Sequence, residues 1–206
     1  MVAATRLHGL YAVTDEALDG GLIAAAAEAL AAGVRILQYR DKSDDSQRRK
    51  MEAIVLRALS RRHDALLIVN DDPALAQAVE ADGVHLGRDD TDIAEARRLL
   101  GPRAIIGVSC YDSLELGRSA AAAGADYIAF GSVYPSPTKP DAVYAPLGLL
   151  TAAKRELGIP VCAIGGINPD NAGPVLAAGA DMLAVISGIF SAPDIEQAVR
   201  AFPLFR

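Results

Sequence analysis

Polar side chains with complementary chemistry recur at one kind of position in this sequence, directly after short apolar runs. They are Gln38, Arg40 and Lys42 in QYRDK, Asn70 and Asp71 in NDD, Asp90 in LGRDD, and Ser109 at the end of AIIGVS. Gly165-Gly166 and Ile186-Ser187-Gly188 follow two further runs, and Ser136, Thr138 and Lys139 share a proline-rich stretch. Arginine and lysine supply charge-assisted bonds to phosphate oxygens, arginine two at a time. Glycine lets backbone N–H groups approach a phosphate at a helix start. Asp71 and Asp90 are hard oxygen ligands of the kind Mg2+ takes, one or two at a time, with phosphates and water completing its shell. Any single aspartate here reads more simply as solvated or helix-capping, the role expected of Asp72 and Asp89. A pair after neighbouring strands, beside three cations, favours the metal.

Eight apolar runs carry these residues: 10–14, 34–39, 65–70, 83–87, 104–109, 126–131, 160–165 and 181–187. They are apolar almost throughout, as parallel strands buried on both faces are. Between them lie alanine-rich segments with helical apolar spacing, among them 22–32, 46–63 and 112–123, with Ser46 and Asp112 as expected caps. The phrases AAGVRILQ, EADGVHLG, AAGADYIAFG and AAGADMLAVIS place Gly33, Gly83, Gly124 and Gly179 before every second strand. A glycine there is expected to end the preceding helix in the left-handed region. Eight strand-helix units with a repeat of two predict a compact (β/α)8 TIM barrel, a single α/β domain over residues 1–206. A doubly wound open sheet is the runner-up, but LYAVTDEALDGG lacks its G-x-G-x-x-G fingerprint. In barrels the active site lies at the strands' C-terminal ends, where the polar residues fall, and phosphate often sits after strands seven and eight.

The formal net charge of -6 and pI near 5.0 argue against broad nucleic-acid or anionic-membrane binding. No run approaches the length of a membrane span and no leader is evident, so a soluble cytoplasmic protein is expected. Cys110 and Cys162 are too far apart for a C-x-x-C site and are expected to be buried thiols. His85 lies inside the fourth run and reads as a packed, hydrogen-bonded histidine; His8 and His63 look peripheral. Arg48, Arg49, Arg61 and Arg62 read as the solvated face of a helix. The excursion GSVYPSPTKPDAVYAP, residues 131–146 with four prolines, continues neither helix nor strand. Its expected role is a lid with Thr138 and Lys139 inside, its prolines limiting the entropy lost on ordering.

In order and spacing, LYAVTD, LQYRDK, LIVNDDPALAQAVEADGVHLGRDD, IIGVSC, GADYIAFGSVYPSPTKPDA, AIGGINPDN and AVISGIF resemble the motifs of thiamine-phosphate synthases, from about Leu10 to Asp194. The resemblance implies a Mg2+-dependent transferase of thiamine biosynthesis. Its reaction joins 4-amino-2-methyl-5-(diphosphooxymethyl)pyrimidine to a thiazole phosphate, giving thiamine phosphate and pyrophosphate. It implies that Gln38 reads the pyrimidine, that Arg40, Lys42, Asn70 and Lys139 hold the diphosphate, and that Asp71 and Asp90 carry Mg2+. Ser109 then lies against the diphosphate or the pyrimidine, while Ser136, Thr138 and the backbone of Gly166, Ile186 and Ser187 hold the thiazole phosphate. Lys139, Arg40 and Ser109 are the expected catalytic residues.

Small-molecule substrates, no nucleic acid, no membrane and possible self-association are the expected partners. Arg88 replaces the family's common glutamine, Ser136 its threonine and Asp41 its glutamate. Arg88 is expected either to add a phosphate contact or to point outward. A thiazole tautomerase of the same superfamily, a non-catalytic thiazole or thiamine phosphate sensor, and a phosphosugar isomerase are the rivals. The tautomerase's histidine after the fifth strand is absent from GVSCYDS, a sensor needs no metal and leaving-group apparatus, and an isomerase needs a central acid–base pair, for which Asp15 is the least implausible candidate.

Overall fold

The computed structural model of the chain describes residues 6–15, 18, 21–88, 90–135 and 143–205. Eight strands, β1 (Gly9–Val13), β2 (Ile36–Tyr39), β3 (Leu66–Asn70), β4 (Gly83–Leu86), β5 (Ile105–Tyr111), β6 (Tyr127–Phe130), β7 (Val161–Ile164) and β8 (Met182–Val185), form a closed barrel in chain order. Every pairing is parallel, including the closing pair of β1 with β8. The helices between them are α1 (Leu22–Ala32), α2 (Ser46–Arg62), α3 (Pro73–Ala78), α4 (Ile93–Leu100), α5 (Leu114–Ala122), α6 (Leu147–Glu156) and α7 (Ala172–Ala177). After β8 come a short α8 (Ser187–Phe190), α9 (Ile195–Ala201) and a 3-10 turn at Pro203–Phe205.

Strand alternation sorts side chains into two cores. Leu10, Ala12, Leu37, Leu67, Val69, Val84, Ile106, Ile128, Phe130 and Leu183 point outward and pack under the helices. Tyr11, Val13, Ile36, Leu66, Ile68, Ile105, Tyr127, Cys162 and Met182 point inward and fill the barrel. Each such aliphatic side chain contributes about 1.5–3 kcal/mol on burial. On the inner parity, Ile36 is followed by Gln38, Ile68 by Asn70 and Ile105 by Gly107 and Ser109. The same alternation that seals the lower barrel therefore delivers polar groups to its upper end.

The two-unit repeat has a structural counterpart at the strands' N-terminal ends. Asp82 accepts from Leu67 N–H at 2.8 Å and pairs with Arg57 of α2. Asp126 accepts from Ile106 N–H at 2.8 Å and pairs with Arg97 of α4. Asp181 accepts from Val161 N–H at 2.8 Å and pairs with Lys154 of α6. Three of the four repeats thus pin a strand to a helix through one carboxylate that bonds both.

Gly33, Gly124 and Gly179 have φ of 121°, 93° and 102°, as helix-ending glycines should. Gly83 does not share this role. Glu80, at φ 53°, takes the left-handed turn there, and Gly83 is needed because a Cβ would lie 1.9 Å from the Ile105 carbonyl oxygen. The caps also differ by one residue from expectation. Asp45, not Ser46, accepts from Arg48 N–H at 2.9 Å, and Ser113, not Asp112, accepts from Leu116 N–H. Neither cysteine is in a disulfide and both are buried; desolvation pushes the Cys110 thiol up to about 12. Among the described residues no helix is long and apolar enough to cross a membrane.

Candidate active site

A cavity of about 350 Å3 opens at the C-terminal end of the barrel. It is lined by Gln38, Arg40, Asn70, His85 and Ser109 on one side and by Gly165, Gly166, Ile186, Ser187 and Gly188 on the other. Ala129, Cys162 and Ala184 form part of its wall, small inward-facing residues that leave room for a ring. Lys42, Asp71 and Asp90 stand beside it, Asp71 directly following Asn70. Ser136, Thr138 and Lys139, and the helix-capping role expected of Asp89, lie outside the described residues.

In QYRDK, alternate residues face opposite ways. The Tyr39 hydroxyl donates to Glu52 Oε2 at 2.7 Å. Asp41 accepts from Ser43 N–H at 2.7 Å and from Arg48 at 2.8 Å. Burial raises the Asp41 carboxyl, but the bonds from Ser43 and the Arg48 guanidinium outweigh it and hold the group below its usual range. Arg48 is thus not only a solvated cation; it pins the residue between Arg40 and Lys42. Thr14 Oγ1 accepts from Arg40 N–H at 2.8 Å and ties that residue to the end of β1.

The three residues of NDD divide three tasks. Asn70 lines the cavity. Asp72 is the α3 cap, accepting from Leu75 N–H at 2.8 Å and from Arg49 at 2.9 Å, so Arg49 also anchors the rim. Between them Asp71 turns through φ 61°, a conformation that costs a non-glycine residue stability and recurs at functional sites. Lys42 Nζ lies 3.3 Å from Asp71 Oδ2. Asp90 accepts from Gly87 N–H at 2.6 Å. Desolvation first, then the Asp71 carboxyl within hydrogen-bond reach, raises the Asp90 carboxyl above its ordinary value. The Lys42 ammonium offsets part of this repulsion. No cluster of three or more metal-ligating side chains occurs among the described residues. A pair is nevertheless the donor set that suits Mg2+ when phosphate and water complete the shell.

The opposite wall presents backbone. Gly165 and Gly166 have φ of 103° and 63°, and both are crowded: a Cβ on Gly165 would lie 1.9 Å from Ser132 Oγ, and one on Gly166 2.3 Å from the Pro135 carbonyl oxygen. Asn171 Nδ2 donates to the Gly166 carbonyl at 2.9 Å. The short α8 begins at Ser187, the arrangement of loops and extra helix where barrels often bind phosphate. The bases of the proline-rich excursion are stapled to each other, Ser132 N–H to the Val143 carbonyl at 2.7 Å and Ala145 N–H to the Ser132 carbonyl at 2.9 Å. Val133 and Tyr134 N–H groups bond the Ile164 and Gly165 carbonyls, extending β6 alongside the glycine turn.

Four aromatic or heteroaromatic residues complete the site. Gln38 Nε2 donates to the Tyr11 hydroxyl at 2.7 Å, which lies 2.8 Å from the Tyr127 hydroxyl. His85 Nδ1 is 2.9 Å from the Tyr127 hydroxyl, and its Nε2 is 2.9 Å from Ser109 Oγ. His85 is packed and hydrogen-bonded, as its position implies, but it also faces the cavity. Tyr111 lines the rim, and Arg88, exposed to solvent, places its guanidinium over that ring, 4.7 Å from the centroid. Tyr11, Tyr127 and Tyr111 were not singled out by sequence, because a tyrosine in an apolar strand reads as core. The one available signal was Gly107, an unexplained glycine inside β5.

Fold and site together define an α/β-barrel enzyme whose mouth combines cations, a carboxylate pair and a glycine turn around a cavity of about 350 Å3. The sequence matches the family described as thiamine monophosphate synthase over residues 10–189. It is 61% identical over 197 residues to the thiamine-phosphate synthase of Thioalkalivibrio sulfidiphilus, covering 95% of this chain and 93% of that one. It is 58% identical over 197 residues to the thiamine-phosphate synthase of Chromobacterium violaceum, with 95% of each chain covered. The solved thiamine phosphate pyrophosphorylase of Pyrococcus furiosus superposes with a TM-score of 0.87 at 39% identity, over 95% of this chain and 94% of that one. The chain belongs to the thiamine monophosphate synthase family and is a transferase of thiamine biosynthesis.

Proposed function

We propose that this enzyme condenses 4-amino-2-methyl-5-(diphosphooxymethyl)pyrimidine with thiazole phosphate, or its carboxylated form, to give thiamine phosphate and pyrophosphate, with Mg2+ bound. The observation that carries this reading is one cavity with Gln38, Arg40, Asn70 and Ser109 on one wall, the Lys42, Asp71 and Asp90 cluster beside that wall, and a backbone-lined glycine wall opposite. One wall suits a diphosphate, the other a monophosphate, and the small residues between them suit two rings. The reading also assigns the protein to the cytoplasm.

Asp71 and Asp90 are the residues that would hold Mg2+, which when bound supplies positive charge to the leaving diphosphate. Arg40, Lys42, Asn70 and Lys139 hold the diphosphate oxygens, Gln38 meets the pyrimidine edge, and Ser109 lies between ring and diphosphate. Ser136, Thr138 and the Gly166, Ile186 and Ser187 backbone take the thiazole phosphate. The pyrimidine amino group feeds electrons into the ring, so the bond from the exocyclic carbon to the diphosphate oxygen breaks to leave a stabilised cation. The electron pair leaves with pyrophosphate, and the thiazole nitrogen attacks the same carbon. No protein nucleophile is needed. The chain's contribution is to neutralise charge on the leaving group, align the two partners and exclude water from the cation.

The test is pyrophosphate release by the purified protein with each substrate omitted in turn, with Mg2+ or chelator. Release that requires both substrates and Mg2+, with an equal amount of thiamine phosphate, is expected. Thiazole phosphate binding without release would overturn the synthase in favour of a tautomerase or sensor. Within this reading Lys139→Ala removes a charge-assisted contact worth about 1.5–3 kcal/mol, lowering turnover roughly tenfold to a hundredfold.

A further inference from the structure

Gln38 and Ser109 lie on β2 and β5, on different sides of the cavity floor, yet they are joined beneath it by an unbroken run of hydrogen bonds. The run passes from Gln38 to Tyr11, Tyr127, His85 and Ser109, with separations of 2.7, 2.8, 2.9 and 2.9 Å. Tyr11 and Tyr127 are 1% and 0% exposed, so their hydroxyls have no access to bulk water with which to trade partners. Desolvation pushes both phenols up, leaving each hydroxyl with its single proton. The rings are fixed as well: Tyr127 stacks on His85 with centroids 5.6 Å apart and meets Tyr11 edge to face at 6.0 Å. Gly107 makes this possible, because a Cβ there would lie 2.0 Å from Tyr127 Cζ and 2.3 Å from its hydroxyl oxygen.

With His85 as the neutral imidazole, a row that keeps all four bonds has only two internally consistent senses. In the first, the Gln38 amide N–H donates to Tyr11, Tyr11 to Tyr127, Tyr127 to His85 Nδ1, and His85 Nε2–H to Ser109 Oγ. The Ser109 proton is then available to donate into the cavity, and the Gln38 carbonyl oxygen to accept there. In the second the Gln38 amide is rotated, every bond reverses, Ser109 donates its proton to His85, and the Gln38 NH2 faces the cavity. Either way one end of the row offers a donor when the other offers an acceptor.

We propose that Tyr11 and Tyr127 are positioning residues whose hydroxyls couple Gln38 to Ser109, making the two ends a matched donor–acceptor pair that selects a heteroaromatic ring carrying both an amino donor and a ring-nitrogen acceptor. This deepens the functional reading above and rests on it. Tyr127→Phe cuts the row at its centre while keeping the ring, its stacking and both end residues. Tyr11→Phe cuts it one bond nearer Gln38.

The experiment measures steady-state parameters for wild type, both single variants and the double variant. It is paired with inhibition by two unreactive pyrimidine monophosphates that differ only in the 4-amino group. Each single variant is expected to raise the pyrimidine diphosphate KM about tenfold to a hundredfold, leaving the thiazole phosphate KM within about twofold. The double variant is expected to be no worse than either single one, since one cut already uncouples the ends. Wild type is expected to prefer the amino inhibitor at least about tenfold, and the variants to lose most of that preference.

A preserved preference in both variants with unchanged pyrimidine KM would overturn the proposal. So would a rise in both substrates' KM values together with a fall in melting temperature, the mark of a purely structural role. A wild type that releases no pyrophosphate would instead sink the functional reading, and the proposal with it.

Discussion

The two walls of the mouth are built on different principles. The wall from β2 to β5 presents side chains, each turned into place by its neighbours: Arg40 through Thr14, Asp71 through its own backbone turn, Gln38 and Ser109 through buried hydroxyls. The wall after β7 and β8 presents main chain, available only because Gly165 and Gly166 carry no Cβ. Side-chain recognition can be tuned by conservative replacement. Backbone recognition has no such intermediate setting, since any added atom both strains the turn and collides with the 131–135 segment.

The largest expected effect therefore belongs to Gly165→Ala. Left-handed strain and overpacking against Ser132 each cost about 1–3 kcal/mol. The expected result is a fall of roughly a hundredfold or more in kcat/KM for thiazole phosphate, with pyrimidine KM nearly unchanged. Steady-state kinetics check it, and an alanine variant with normal thiazole affinity would break the contrast between the walls. Asp71→Asn comes next, acting on the side-chain wall: apparent Mg2+ affinity is expected to fall about tenfold to a hundredfold while thiazole phosphate KM holds. An unaltered Mg2+ titration would remove Asp71 from the proposed metal site.

The smallest effect is acid loosening of QYRDK. The Asp41 carboxyl is held below its ordinary value in the fold, so the stabilisation it provides is complete above the unfolded value, about 4, and is lost as pH falls through the folded one. Pyrimidine KM is expected to rise a few-fold below about pH 4, with the onset moved to higher pH by Arg48→Ala. A pH profile identical in the variant would show that Arg48 has no part in the rim.

The barrel itself was legible because each strand is an uninterrupted apolar run and the helix-ending glycines recur every second unit. The rim was legible because strand parity is local: residues 36, 38 and 40 must share a side wherever the strand sits. What lay beyond sequence was anything that depends on two strands meeting. Tyr11 and Tyr127 are 116 residues apart and become partners only when β1 and β6 face each other across the closed barrel. Arg48 and Arg49 likewise read as solvent-facing, since nothing local says that Asp41 and Asp72 fold back onto α2. The misplaced caps have a simpler cause. Asp45 beside Ser46, and Asp112 beside Ser113, are each two competent capping residues in a row, and only backbone angles choose between them. Gly83 fitted the repeat but serves a collision with β5 that no repeat could reveal.

The carboxylate pins Asp82, Asp126 and Asp181 lie at the opposite end of the strands from the cavity. Much of the fold's cross-bracing is thus spatially independent of its chemistry. For directed evolution this separation leaves the mouth open to exploration: a substitution that weakens the rim spends none of the anchoring at the base, so new substrate preferences could be sampled before the scaffold approaches its stability threshold.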